Sequence, residues 1–147
     1  MKRLLSSPPF KYYDKKDFLD FIDGKEVPRY VLYDLVELFA KHGNLRGLKL
    51  MESKGMTKGD DLRDSLIRAS NNGYLNIVKY LIEEQGVDPH AYNDVSILWA
   101  VKNGHLNIVK YLIEEQGVDP QVRNNEALEI AKREKHYDIV SYLESLP

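Results

Sequence analysis

The chain has 147 residues, of which 43% are hydrophobic and 30% are charged, and its formal net charge is −2. This composition is typical of a folded globular chain and not of a disordered one. No basic block marks a nucleic-acid-binding surface, so we expect no nucleic-acid partner. The absence of cysteine excludes disulfides, thiolate metal sites and cysteine nucleophiles.

Residues 1–29 are predicted to form an N-terminal arm and a capping helix. The charged start resembles a secretory leader, but Pro8 and Pro9 occur where an apolar core of about 7 or more residues is required. Residues 15–23 predict a short helix that covers the apolar edge of the next unit, because large apolar side chains cluster there: Phe18, Leu19, Phe21 and Ile22. No apolar run reaches the ~18–20 residues that cross a bilayer, so no membrane partner is expected.

The rest of the chain is built from a repeated unit. The fifteen residues LNIVKYLIEEQGVDP occur without change at 75–89 and at 106–120, a spacing of 31 residues, and a diverged copy follows at 137–143. A weaker copy lies upstream, where Gly43 and Leu45 match Gly73 and Leu75. Such a period indicates stacked repeats. We predict an array over residues 30–147, with units near 30–60, 61–91, 92–122 and 123–147.

Each unit is predicted to be a pair of helices followed by an extended connection. In the third unit, Asn93 and Asp94 are suited to capping the first helix. Gly117 is expected to supply the left-handed residue that ends the second helix. The apolar side chains of the two helices recur at helical spacing: Ile97, Leu98, Ala100 and Val101, then Ile108, Val109, Leu112 and Ile113. The predicted fold is therefore an all-α helical-repeat solenoid of about four units, with an N-terminal cap.

The last unit differs from the others as the end of an array should. Its first helix is predicted to face water as a C-terminal cap, because its side chains are mostly polar: Glu126, Glu129, Lys132, Arg133, Glu134 and Lys135.

The segment at 103–113, NGHLNIVKYLI, followed by Gly117, Val118 and Asp119, resembles the second helix and turn of an ankyrin repeat. Residues 93–100 are similar to the ankyrin repeats abundant in giant viruses of amoebae. The family motif Thr-Pro-Leu-His-x-Ala is replaced here by VSILWA at 95–100. The period is 31 residues, where the family commonly has about 33. By alignment the second helix gains one residue within 114–116 and the loop loses three, so short extended loops are expected in place of a β-hairpin finger.

The resemblance implies a non-catalytic protein–protein interaction module that binds a protein partner through its concave first-helix and loop face. It places Trp99 in that groove, with Arg68 and Ile130 as the equivalent residues of neighbouring units. Tryptophan and arginine are enriched among binding hot spots; the alternative is that Trp99 packs structurally between adjacent first helices. The predicted contact residues are Arg68, Asn72, His90, Tyr92, Trp99, Lys102, Asn103 and Ile130.

No catalytic, cofactor or metal site is predicted. His105 and His136 occupy the same place in successive units, and the resemblance assigns such histidines a structural role. The pair Glu83-Glu84 recurs as Glu114-Glu115, whereas a catalytic pair is needed once, so these carboxylates are interpreted as solvated helix-end charges. Three tyrosines recur with the repeat and are predicted to form a ladder of half-buried rings on the outer helices: Tyr80, Tyr111 and Tyr142.

The resemblance further implies a viral or intracellular-parasite protein that engages a host factor in the host cytoplasm, as a monomer or weak oligomer. The alternative is a structural component of a larger assembly, such as a virion or appendage. A separate cluster of tyrosines is a candidate secondary contact patch: Tyr12, Tyr13, Tyr30 and Tyr33.

Overall fold

A computed structural model describes residues 29–55, 57 and 59–147; for residues 29–33, 60 and 61 it describes the backbone only. The predicted capping helix at 15–23 lies outside the described residues, as do the side chains of the N-terminal tyrosine cluster. The described part contains eight helices and no strand, which confirms the all-α fold. None of these helices is both long and apolar enough to cross a membrane.

The helices follow one another in pairs, a first helix and a second helix in each unit. The second helices of the two middle units begin α-helical and end π-helical. The first pair is α1 (Arg29–Lys41) and α2 (Leu45–Ser53), and the second is α3 (Gly59–Asn72) and α4 (Leu75–Lys79, then π-helical Tyr80–Glu84). The third is α5 (Ala91–Lys102) and α6 (Leu106–Lys110, then π-helical Tyr111–Glu115), and the fourth is α7 (Val122–Arg133) and α8 (Tyr137–Ser145).

The units stack so that their apolar stripes cover one another. First helices contact in chain order, α1 with α3, α3 with α5 and α5 with α7, and α4 contacts α6 as α6 contacts α8. Val78 and Val109, at matching positions of α4 and α6, are fully buried. One continuous core runs from Leu35 to Leu143. Because each stripe is buried only against the neighbouring units, the array folds as a stack.

The extra residue predicted in the second helix is accommodated by a π-helical turn. In α6 the Gln116 N–H donates to the Tyr111 carbonyl five residues earlier (3.3 Å), and the Val118 N–H donates to the Leu112 carbonyl (3.0 Å). α4 ends in the same way at Gln85. A π-turn widens the helix locally, so the added residue leaves Leu112 in the core. Gly117 has φ 71°, which confirms its predicted left-handed conformation.

The prediction that Asn93 and Asp94 cap the first helix is wrong. These residues and Tyr92 have φ values of 62°, 61° and 54°, so they form a left-handed turn before the right-handed part of α5. The Asp94 carboxylate bonds His90 Nδ1 at 2.7 Å and not the helix start. Residues 123–125 repeat the turn in the next unit. Asn and Asp tolerate left-handed angles better than other side chains, which explains their presence here.

The polar first helix of the last unit faces solvent, as predicted. Glu129 and Lys132 are exposed, whereas Leu98 and Val101 are buried at the matching positions of the preceding unit. The Lys132 ammonium pairs with Glu144 of α8 at 3.0 Å. This face therefore closes the stack with charges.

Candidate binding groove

The first helices form one face of the stack, and a cleft opens on that face between α3 and α5. Its volume is about 370 Å³, and it is lined by Asp64, Ile67, Arg68, Asn71 and Trp99. We refer to it below as the groove cleft. Two residues predicted from the sequence as contacts, Arg68 and Trp99, are therefore brought together in one cavity.

Trp99 is half-buried. This exposure does not choose between the two alternatives considered for it, a contact residue in the groove and a structural side chain between first helices. Its indole lines the groove cleft. The ammonium of Lys102, one helical turn further along α5, lies 4.7 Å from the ring centroid. A cation above the face of an indole is attracted to the π electrons, so Lys102 and Trp99 act as one composite surface.

Arg68 reaches from α3 to α1. Its Nε donates to the carboxylate of Glu37, and half of the Arg68 side chain stays exposed. The amide of Asn72 donates to the Arg68 carbonyl at 2.8 Å. This cross-helix bond fixes the direction of the guanidinium at the edge of the groove cleft.

Asn103 connects two units at the other end of the first helices. Its amide donates to Asn71 Oδ1 at 3.0 Å and to the Trp99 carbonyl at 2.9 Å. Asn71 lines the groove cleft, so Asn103 orients part of its wall. These bonds were not foreseen from the sequence, which gave Asn103 only as a contact residue for a partner.

The predicted loop contacts lie on the left-handed turn (Tyr92) and just before it (His90). Tyr92 is 53% exposed, and His90 is exposed beside its Asp94 partner. Arg123 of the next unit donates from Nε to the Asn93 carbonyl (3.2 Å) and from Nη2 to the Tyr92 carbonyl (3.3 Å). Successive loops are therefore bonded to each other through Arg123, a contact that the sequence analysis did not predict.

Ile130 differs from the other predicted contact residues. It is 7% exposed and belongs to the core, so its side chain offers a partner little surface. The same helical position holds exposed Arg68, half-buried Trp99 and buried Ile130 in successive units. Exposure at this position therefore follows the length and polarity of the side chain.

His105 and His136 have the structural role that the resemblance implied. Their Nε2 atoms bond the carbonyls of Asn71 (3.0 Å) and Lys102 (2.9 Å) in the preceding unit. Each ring also lies against a glycine of that unit, at Gly73 and Gly104, with no room for a β-carbon between them. Within the described residues, no group of three histidine or acidic side chains could hold a metal ion.

The outer helices carry a second set of contacts between units. The glutamates interpreted from the sequence as solvated helix-end charges are exposed, and they also bond neighbouring units. Tyr111 and Tyr142 donate to Glu83 and Glu114 of the preceding unit, each at 2.9 Å. Glu84 and Glu115 pair with lysines of the units before them, Lys49 (3.1 Å) and Lys79 (3.6 Å). The three tyrosine rings each lie under a lysine of the preceding unit: Lys49 over Tyr80, Lys79 over Tyr111 and Lys110 over Tyr142.

The tyrosines of this outer ladder are more buried than expected and hold their protons strongly. Tyr80 and Tyr111 are buried, and Tyr142 is half-buried. Burial raises the pKa of Tyr80 to about 12, assisted by the charges of Glu52 and Glu84. Burial and the bond to Glu114 raise the pKa of Tyr142 to about 12. The pKa of Tyr111 is also raised, first by burial and then by its bond to Glu83.

Stacked helix pairs with a cleft on the first-helix face define a helical-repeat protein, a class that presents extended concave surfaces to other molecules. A family model described as ankyrin repeats (3 copies) matches residues 66–145, which is more than half of the chain. The chain therefore belongs to the ankyrin-repeat family. No curated protein sequence matches it.

Proposed function

We propose that the protein binds a protein partner in the groove formed by its first helices and loops, with the groove cleft at the centre. Ankyrin repeats are generally protein–protein interaction modules. The observation that carries the proposal is the open cleft between α3 and α5, where Trp99 is half-exposed beside Arg68. Both residue types supply a large share of binding energy when a partner buries them.

The distribution of charges also favours the groove over the outer face. On the outer helices the lysines and glutamates bond within the stack, through the pairs of Lys49 and Lys79 and the tyrosine ladder. In the groove, Lys102 is exposed at the end of α5 and forms no ion pair with the residues that the structure describes. A partner that docks here meets polar groups on a rigid support, which reduces the ordering cost of binding.

Capture of partners by the tagged protein from its native cell, with and without Trp99→Ala, tests the proposal. Losing a central hot-spot side chain costs about 2 kcal/mol or more, or roughly thirtyfold in affinity. Lys110→Ala is the matched control, because Lys110 is exposed over a ring on the outer face. Partners that bind Trp99→Ala and Arg68→Ala as well as the unchanged protein, with both variants folded, would place the binding surface elsewhere.

The similarity of residues 93–100 to the repeats of giant viruses supports a narrower proposal: a viral or parasite protein that acts on a host factor in the host cytoplasm. The competing proposal, a structural part of a virion or appendage, requires contacts at the ends of the stack. Lys135 stands where Gly43, Gly73 and Gly104 receive a ring in the earlier units, so another unit could not stack there in the same way. A concentration-independent elution volume in size-exclusion chromatography is expected, and concentration-dependent assembly would favour the structural role.

A further inference from the structure

The groove has two edges of opposite charge. The first helices end at matching positions on a mostly basic row, which we call the turn edge: Lys41, Asn71, Lys102 and Arg133. Seven residues earlier, three of the four helices carry an acid, and these form the loop edge: Asp34, Asp64 and Glu126. Seven helical residues span roughly 10 Å. At the groove cleft the turn edge contributes Lys102 and the loop edge contributes Asp64, which also lines the cavity.

Lys102 is the cation of the turn edge that is best placed to meet a partner. Within the part of the chain that the structure describes, its ammonium contacts the Trp99 ring and forms no ion pair. Arg133, by contrast, bonds the neighbouring carboxylate of Glu134 at 3.1 Å. In the groove cleft, Arg68 bonds Glu37. A carboxylate of a partner at the centre of the turn edge could therefore pair with Lys102 without breaking an ion pair of the described residues.

Apolar surface lies directly beside this cation. Ile67 and Trp99 line the groove cleft, whose volume of about 370 Å³ is at the small end of the ~300–1,000 Å³ typical of ligand pockets. Such a cavity accepts one or two side chains of a peptide. Trp99 lines the cleft, and the ammonium of Lys102 lies over the ring of Trp99. The apolar cavity and the cation therefore adjoin.

We infer that the groove binds an acidic segment of its protein partner, in which an apolar side chain fills the cleft against Ile67 and Trp99 and an adjacent Asp or Glu pairs with Lys102. This inference rests on the proposed function and specifies the partner. The loop edge carries the acids Asp34, Asp64 and Glu126, of which Glu126 pairs with Arg123 at 3.6 Å. The charges of this edge disfavour an evenly charged polyanion such as a nucleic acid. A protein segment whose carboxylates all face the turn edge avoids this repulsion.

Selection from a phage-displayed library of random peptides, with the full chain as bait, tests this partner chemistry. The expected result is enrichment of peptides in which a large apolar residue adjoins Asp or Glu, and which bind Trp99→Ala poorly. A synthetic peptide carrying the enriched sequence is then titrated against the variants. Lys102→Glu is expected to weaken it by roughly three- to tenfold, since an exposed attraction becomes a repulsion, and salt should weaken it further.

Lys110→Glu provides the matched control, because Lys110 is also an exposed lysine over an aromatic ring but lies on the outer face. It is expected to leave peptide affinity within about twofold. Neutral or basic peptides that depend on Trp99, or full affinity in Lys102→Glu, would overturn the acidic-partner inference and leave the groove as the binding site. Enriched peptides that ignore Trp99, or no enrichment at all, would count against the proposed function as well.

Discussion

His136 of the last unit lies against Gly104 of the unit before it, and replacing that glycine with alanine perturbs this contact in a measurable way. A β-carbon on Gly104 would stand 2.8 Å from Cε1 and 2.9 Å from Nδ1 of His136. Gly104 also has φ 77°, where a β-carbon costs ~1–2 kcal/mol. The ring must move, and the bond from Nε2 to the Lys102 carbonyl (2.9 Å) is weakened, at about 0.5–1.5 kcal/mol.

We therefore expect Gly104→Ala to lower the free energy of unfolding by about 1.5–3.5 kcal/mol. Gly117→Ala is the matched control, because Gly117 has φ 71° with no atom within 4 Å of the added β-carbon. It carries the backbone cost alone, about 1–2 kcal/mol. Urea titrations followed by far-ultraviolet circular dichroism measure both values.

The double variant Gly104→Ala/His136→Ala separates the ring contact from the backbone. Without the imidazole, the cost of the alanine at position 104 should fall to that of Gly117→Ala, since only the left-handed strain remains. If Gly104→Ala and Gly117→Ala destabilise the fold equally, to within about 0.5 kcal/mol, then the packing of His136 on Gly104 contributes nothing to the stack.

Three other predictions concern the contacts between units. Tyr111→Phe removes bonds to Glu83 and Gln116 and should cost about 1–2 kcal/mol in urea titrations; an unchanged unfolding midpoint would show that the outer ladder is not stabilising. Arg123→Ala releases the carbonyls of Tyr92 and Asn93 and should speed amide hydrogen exchange in that loop, whereas Arg133→Ala should not. Because folding raises the pKa of Tyr80 to about 12 from about 10 in the unfolded chain, this contribution to stability is complete below pH about 10 and is lost as the pH rises through about 12. Unfolding midpoints that stay constant across that range would contradict it.

The repeat unit, the all-α fold and the buried stripes could be predicted because the same periodic pattern occurs several times in one chain. Val78 and Val109 are buried at positions that identical sequence had already linked. The left-handed turns could not be foreseen, because Asn and Asp are favoured both as helix caps and at positive φ. Residue type alone does not separate these two roles.

The contacts between units required the three-dimensional stack. Arg123 and the Asn93 carbonyl are 30 residues apart, in loops that lack periodic pattern. Glu83 and Glu114 were recognised as repeated, which argued against catalysis, yet their tyrosine partners lie 28 residues further along the chain. Ile130 was assigned to the groove by its position, whereas its branched apolar side chain is buried in the core.

The outer ladder gives each fifteen-residue copy two complementary halves. In residues 75–89, Lys79 and Glu83 face forward to Tyr111, while Tyr80 and Glu84 face backward to Lys49. A duplicated 31-residue unit that contains this segment would thus carry outer-helix contacts already fitted to both of its neighbours. Growth of the array by copying whole units needs no compensating substitution in this outer ladder, and each inserted unit would lengthen the groove by one helix spacing, roughly 10 Å.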